Sequence, residues 1–544
     1  MRKLKLISTS LTILILVCYI AILAVYQKSL DKNAIPWHDG SHHFTLAANL
    51  FNHLSSGDFE YYLESLRNFP ELILTYSILN LAFLLVGGVK QAAIPFVYTL
   101  FFILIVLSYF LSISKRERHT KSLLFTIVFI LSGIYTTQAG GALDTRVDIL
   151  SASAGAISLL FITSRNFYFG ILFFLFASFL KGAAFFLILP MLLIGIAIEY
   201  LKEKITLDWN LKFLLKSISI AIPLLIFLKV LLASVLSYNL MQTGGSNLES
   251  RVQIFISNVN QYLIGGFGYY YKVLKENTNV VFIFLGIIVA VLYSIWQKNK
   301  KLILSGFFVF FCISYSYVLM TMSPLKSGVL IIWFLPCTIV ASIFFTDFIF
   351  KIRYNKYLIL ALLSITFIVL YKIPRKYNIP EDYLQLARNN IHQQASEIAI
   401  QLDEKYPSRF VKGVVFVNFL SAHGVISYNY DSYTNLIHKK VKKAKIDLAG
   451  WELATYSKEW KKEIERFKDY DLILLILQEE PMGIPATNTP QKYGREVYLE
   501  LEKSRTEKPS CFTKITNTID LPHIGKRDTY LFSNVPDCKA ILFP

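Results

Sequence analysis

Four short polar interruptions in a strongly apolar stretch carry the side chains able to do chemistry. The first is Trp37-His38-Asp39-Gly40-Ser41-His42-His43. A carboxylate there can serve as a general base, with histidines beside it to hold an anionic group; its plainer reading is a polar loop returning to the membrane. The second is Gly140 to Asp148, with Asp144, Arg146 and Asp148. Asp144 and Asp148 share a face if they form a first helical turn, where the helix dipole alone also favours acids. Arg146 between them reads equally as their counter-ion. The third is Lys181-Gly182, in the middle of the apolar stretch 167–200, and the fourth is Ser323-Pro324-Leu325-Lys326-Ser327. A lysine at a helix end can simply snorkel to the interface.

Charges at the ends of apolar segments cost free energy and call for partners or a task. One base and several cations gathered on one membrane face suit a reaction on a lipid-linked phosphate, whose growing negative charge the cations stabilise. The elements that position them must therefore be membrane helices.

The composition agrees. Only 17% of residues are charged, against about a quarter in soluble domains, and 54% are hydrophobic. Apolar runs of near-spanning length lie at 5–26, 72–88, 93–114, 122–140, 149–163, 167–180, 183–200, 213–235, 279–296, 302–322, 328–349 and 357–372. The expected fold is a mainly α, polytopic helical bundle over 1–372, followed by a mixed α/β soluble domain over 373–544. That domain has strand-like runs at Val414–Val417, Leu472–Leu475 and Thr529–Phe532, and helical patterns near 381–404 and 457–468.

The +18 charge is concentrated in clusters such as Lys115-Arg116-Glu117-Arg118, Lys298-Asn299-Lys300-Lys301 and Lys351-Ile352-Arg353. These mark cytoplasmic loops, and no aromatic-interleaved basic face points to nucleic acid. Met1-Arg2-Lys3-Leu4-Lys5 and the run after it read as a signal anchor with its N-terminus inside. Alternation then puts 27–70, 141–148, 181–182, 236–278, 323–327 and 373 onward outside an inner (plasma) membrane. One of 72–88 and 93–114 must fail to cross, and 72–88, short and ending in Gly87-Gly88, is the expected one. Phe44, Leu46, Ala47, Leu50, Phe51 and Leu54 predict an amphipathic helix lying on the membrane surface, and Tyr262, Phe267, Tyr269, Tyr270 and Tyr271 predict interfacial anchors. Cys18, Cys312 and Cys337 sit in apolar segments as packing residues; Cys511 and Cys538 are a candidate disulfide if the terminal domain faces an oxidising space. There is no P-loop, GxGxxG or His/Cys metal pattern.

Over residues 1–370 the chain resembles the GT-C superfamily of polyprenyl-phosphate-dependent membrane glycosyltransferases, in the branch of protein O-mannosyltransferases, lipid A aminoarabinose transferases and related lipopolysaccharide-sugar transferases. Asp39-Gly40, then Leu46-Ala47-Ala48-Asn49-Leu50 and Ser56-Gly57-Asp58, resemble that family's first outer loop, with Gly40 where the family has a second acid. Arg146-Val147-Asp148-Ile149-Leu150-Ser151-Ala152 resembles its Arg-x-Asp signature. Lys181-Gly182 with Pro190, and Lys326 through Trp333 to Pro336, resemble its later turns.

The resemblance implies a polyprenyl-phosphate-sugar donor bound from the outer leaflet and a lipid, glycan or protein acceptor. Asp39 would be the base of an inverting displacement. Lys181, Arg146 and Lys326, with His42 and His43, would stabilise the departing phosphate, and Asp144 and Asp148 would support them. Some relatives use a divalent metal, which Asp39, Asp144 and Asp148 would hold here. Three other readings stay open. A lipid or polysaccharide transporter or flippase should show inverted repeats and mid-membrane charges. A membrane assembly protein without catalysis is compatible with Gly40. An O-antigen polymerase or ligase should carry an outer loop rich in Arg and His, and 236–278 is poor in both.

Overall fold

The computed structural model describes residues 2–33, 38–67, 73–89, 93–115, 117–136, 147–203, 280–297, 299–321, 334–351, 355–376, 392–407, 409–418, 430–453, 460–478, 489–515, 519–521 and 525–543. The chain is mainly helical, with a small sheet in its C-terminal region. It divides into two compact units. One comprises 1–27, 66–78 and 94–377, the other 28–65, 79–93 and 378–544.

The described helices of the first unit are α1 (Arg2–Asn33, to Gln27), α5 (Ala93–Ser112), α6 (Arg118–Ser132), α7 (Asp148–Thr163), α8 (Phe167–Leu180), α9 (Ala183–Glu203), α10 (Val280–Trp296), α11 (Lys300–Thr321), α12 (Leu335–Lys351) and α13 (Asn355–Lys376). At its centre α7 is buried from Asp148 through Ile162. Its run of Ser, Ala and Gly lets neighbouring helices come close, which is how helices associate where no water drives them together. A Cβ on Gly155 would stand 2.8 Å from Ile188 Cδ1 of α9. The hydroxyls of Ser151 and Ser158 donate across to the carbonyls of Ala177 and Gly170 on α8, each at 2.7 Å.

Outward, α5 exposes Leu100, Leu107 and Leu111, α10 exposes Ile288 and Leu292, and α13 exposes Leu360 and Ile368. Large apolar side chains in such number on an outer surface call for a non-aqueous partner. Taking only side chains that are described throughout, no helix is long and apolar enough to cross a membrane. The partly described α5 comes near, with 20 residues and no charge among them. The span expected at 213–235 and the aromatic anchors at 262–271 lie outside the described residues.

Two acids inside apolar helices, Glu199 and Asp347, were not singled out in the sequence. Glu199 pairs with Arg165 and Lys202, and Asp347 with Lys121. Their partners all come from the basic stretches at helix ends.

The helix expected not to cross is α4 (Ile73–Leu85), 13 residues or about 20 Å, shorter than the roughly 30 Å hydrocarbon core. It ends where the Gly88 N–H returns to the Phe83 carbonyl at 2.8 Å, with φ 76° and 127° at Gly87 and Gly88. That left-handed exit is what the two glycines permit.

The second unit is an α/β sandwich. Its sheet contains β1 (Phe410–Val417), β2 (Lys445–Glu452), β3 (Leu472–Gln478), β4 (Phe512–Lys514), β5 (Ile519–Leu521) and β6 (Gly525–Phe532), ordered β2-β1-β3-β6-β4, with β5 also on β6. The pairs β1–β2 and β1–β3 are parallel, and β6 runs antiparallel to its neighbours. β3 is buried along its whole length, and apolar up to its final Gln478, because both faces of the sheet are covered. On one face lie α14 (His392–Lys405) and α15 (Tyr430–Lys440), through Ile398, Leu402, Tyr433 and Ile437. On the other lie α16 (Trp460–Ile464), α17 (Thr489–Glu507) and α18 (Pro536–Leu542), through Trp460, Ile464, Val497 and Leu501. Cys511 and Cys538 are joined there by a disulfide, Cα atoms 5.4 Å apart.

One expectation is corrected in this unit. The amphipathic segment after α1 does form helices, α2 (His38–Ser56) and α3 (Phe59–Arg67), but the apolar face of α2 is not left for a membrane surface. Phe44, Ala47, Ala48 and Leu50 are buried, and α2 packs on α15 and on β2. The physical reason is polar. Asn49 Nδ2 donates to the Leu448 carbonyl and its Oδ1 accepts from the Leu448 N–H, both at 3.0 Å. Asn52 donates to the Ile446 carbonyl at 2.7 Å. Lipid offers no such partners, whereas β2, at the edge of the sheet, has backbone groups to satisfy.

Candidate active site

α7 begins at Asp148, and α8 and α9 are broken apart at Lys181-Gly182. Lys181 is extended, with φ −157° and ψ 119°, and only its N–H stays on the helix, bonded to the Ala177 carbonyl. Its Nζ donates to Asp148 Oδ1 at 2.7 Å. The carboxylate is buried, 6% exposed, and the ammonium is 29% exposed. Asp148 also makes a further interaction. An acid in the first turn of α7 is favoured by that helix's dipole. It holds a lysine that has three donors, so the ammonium is located without being used up. This is an anchored cation at the break between two apolar helices, suited to receive an anionic group.

Of the other residues singled out in the sequence, Arg146, Asp144 and Lys326 lie outside the described residues. The backbone of Asp39 stands in the first turn of α2, but its side chain and that of His42 are not described. His43 is half-buried and has a partner. Among the described residues no group of three or more His, Cys, Asp or Glu can hold a metal ion. Of the acids considered for one, only Asp148 has a described side chain, and its Oδ1 is on an ammonium.

A second polar cluster went unnoticed in the sequence. His53, in the last turn of α2, is fully buried. Its Nδ1 lies 3.0 Å from Asp58 Oδ2 and its Nε2 lies 2.8 Å from Asp447 Oδ2 on β2. Tyr61 stacks on the imidazole at 3.7 Å and donates its hydroxyl to Asp447 at 3.2 Å. The hydrogen bond from His53, followed by that from the Tyr61 N–H, holds the exposed Asp58 carboxyl below its usual range. The available signal was a polar stripe, Thr45, Asn49, Asn52 and His53, at helical spacing along the apolar face of α2.

His438 of α15 is buried nearby in charge terms, with an Nε2 that has no hydrogen-bond partner among the described residues. Burial pushes its pKa from 6.5 down to about 4, against the pull of Asp447. The unfolded chain takes up this proton near pH 6.5 and the folded one only near 4, so stability falls as pH drops through that window. The shift corresponds to about 3 kcal/mol. His438→Leu is expected to flatten the acid loss of apparent Tm between pH 6.5 and 4. Equal slopes for variant and wild type would show that His438 is not the group responsible.

No family model matches the chain, and no curated protein does. Among solved structures it is similar to ArnT from Cupriavidus metallidurans bound to undecaprenyl phosphate. The identity is 12% and the TM-score 0.48, over 97% of this chain and 99% of that one. It is also similar to the Archaeoglobus fulgidus oligosaccharyltransferase tethered with an acceptor peptide, at 11% identity and a TM-score of 0.39, over 95% of this chain and 74% of that one. Likeness this loose transfers no residue role and no activity.

Proposed function

We propose that the chain is a membrane glycosyltransferase that moves a sugar from a polyprenyl-phosphate-linked donor to a lipid, glycan or protein acceptor on the outer face of the inner membrane. The observation that carries this is the Lys181–Asp148 pair. Two motifs of the resemblance, Arg146-Val147-Asp148 and Lys181-Gly182, are 33 residues apart at their charged members and meet at 2.7 Å. In this reading the N-terminus is cytoplasmic and the α/β unit lies outside.

In the proposed reaction Asp39 takes the acceptor hydroxyl proton. The oxygen forms a bond to the anomeric carbon as the bond from that carbon to the phosphate oxygen breaks, with inversion. Both electrons of the broken bond leave on the polyprenyl phosphate. The Lys181 ammonium, with Arg146 and Lys326, lowers the cost of that gathering charge, and His42 and His43 assist them. A metal is not required by this scheme.

The second reading, an assembly protein without transfer activity, is favoured by Gly40 in place of a second acid. The test is the purified chain in nanodiscs with a radiolabelled polyprenyl-phosphate sugar and a membrane lipid extract. Label is expected in an acceptor, with one polyprenyl phosphate released per sugar moved. Donor that crosses the bilayer of proteoliposomes unconsumed would establish a flippase instead, and an inert donor would establish the assembly protein.

A further inference from the structure

The proposed base and the α/β unit are joined by one helix. α2 runs unbroken from His38 to Ser56, so Asp39 in its first turn and His53 in its last are about 21 Å apart along a single rod. The lower half of that rod is fixed at four consecutive points. Thr45 meets Thr434 of α15 at 3.1 Å, Asn49 makes its paired bonds to Leu448, Asn52 bonds Ile446, and His53 bonds Asp447. These contacts set the height and the rotation of the helix. A single apolar face would allow it to slide or turn, whereas directed bonds to three successive residues of an edge strand do not.

Every partner belongs to the same compact unit as Asp39 itself. The α/β unit therefore does more than decorate a membrane enzyme. We propose that it positions the N-terminal turn of α2, with His53 and Asn49 as positioning residues that hold α2 in the register from which Asp39 works. This rests on the glycosyltransferase reading and on Asp39 as base. The chemical reason to expect a strong effect is that a base displaced by about 1 Å can lose about a hundredfold in rate.

The test compares wild type, His53→Ala, His53→Gln, Asn49→Ala and Asp39→Asn in the full chain. It uses hydrogen exchange over 38–56 together with transfer kinetics on a polyprenyl-phosphate sugar. His53→Ala is expected to speed exchange along α2 up to its first turn, with β1 and β3 unchanged, and to lower kcat at least about tenfold. Donor KM should stay within about twofold, because Lys181 lies in the other unit. Gln still donates to Asp447 and should restore part of both.

Asn49→Ala, which creates no buried unpaired charge, should follow the same pattern should His53→Ala fail to accumulate. Unchanged exchange at the head of α2 in both Ala variants overturns the proposal. So does faster exchange with unaltered kcat. Full activity in Asp39→Asn sinks the base assignment instead, which keeps the two failures apart.

Discussion

Asp39→Asn is expected to abolish sugar transfer while leaving the chain folded and inserted. Asparagine matches aspartate in size and is at home in the first turn of a helix, so the backbone at the start of α2 has no reason to change. The far end of α2 stays fastened to β2 through Asn49, Asn52 and His53, which the substitution does not touch. What is lost is the ability to accept a proton. General-base catalysis contributes about 10²–10⁴ in rate, so turnover should fall by about that range with donor binding intact. Single-turnover transfer and donor binding, measured on the same preparation, separate the two. Near wild-type turnover would show that Asp39 is not the base and would redirect attention to the acids near Asp148.

The sequence reading put Asp39 in an outer loop after α1, whereas its backbone stands in the first turn of α2, and the resemblance said nothing about what that helix rests on. The pattern Phe44, Ala47, Leu50 announces an apolar face, and a lipid surface and a protein surface look alike to such a face. The distinguishing marks were the polar residues within it. Asn49 and His53 make sense only against a partner with directed groups, and that partner, β2, lies nearly 400 residues away at Asp447 and Leu448. β2 was itself hidden, since Lys445-Ile446-Asp447-Leu448-Ala449-Gly450 contains Asp and Gly, which strands disfavour. By contrast Leu472–Leu475 is buried on both sides and showed as a plain apolar run.

α15 was missed for a related reason. Asn435 and His438 are buried in it, so its polar and apolar positions do not separate into two faces. α17 is rich in charge, and among its described residues Val497 and Leu501 are the deeply buried apolar anchors. In the first unit the break at Lys181-Gly182 was legible because a charge and a glycine interrupt an otherwise apolar stretch. Its partner was not legible. Asp148 stood beside Arg146, the nearer cation in sequence, and only the packing of α7 against α8 brings Lys181 to it.

That partnership changes what a lysine substitution should do. Lys181→Met keeps the stem but strips the ammonium from a carboxylate that is only 6% exposed. Removing one partner of a buried ion pair costs up to about 3–5 kcal/mol, less where the carboxylate keeps another contact as Asp148 does, so the single variant should be less stable as well as inactive. Loss of activity in it alone therefore proves little. The informative variant is the double one, Lys181→Met with Asp148→Asn, in which no charge is stranded. Its apparent Tm should recover most of the way to wild type. Its kcat should remain down by about a hundredfold or more, because the Lys181 ammonium no longer meets the departing phosphate. Lys181→Arg keeps the charge and can still pair with Asp148, so it should stay folded and retain part of the turnover with a different reach. Should the double variant transfer sugar as fast as wild type, the pair is a structural staple between α7 and the α8–α9 break, and the phosphate must be met by other cations.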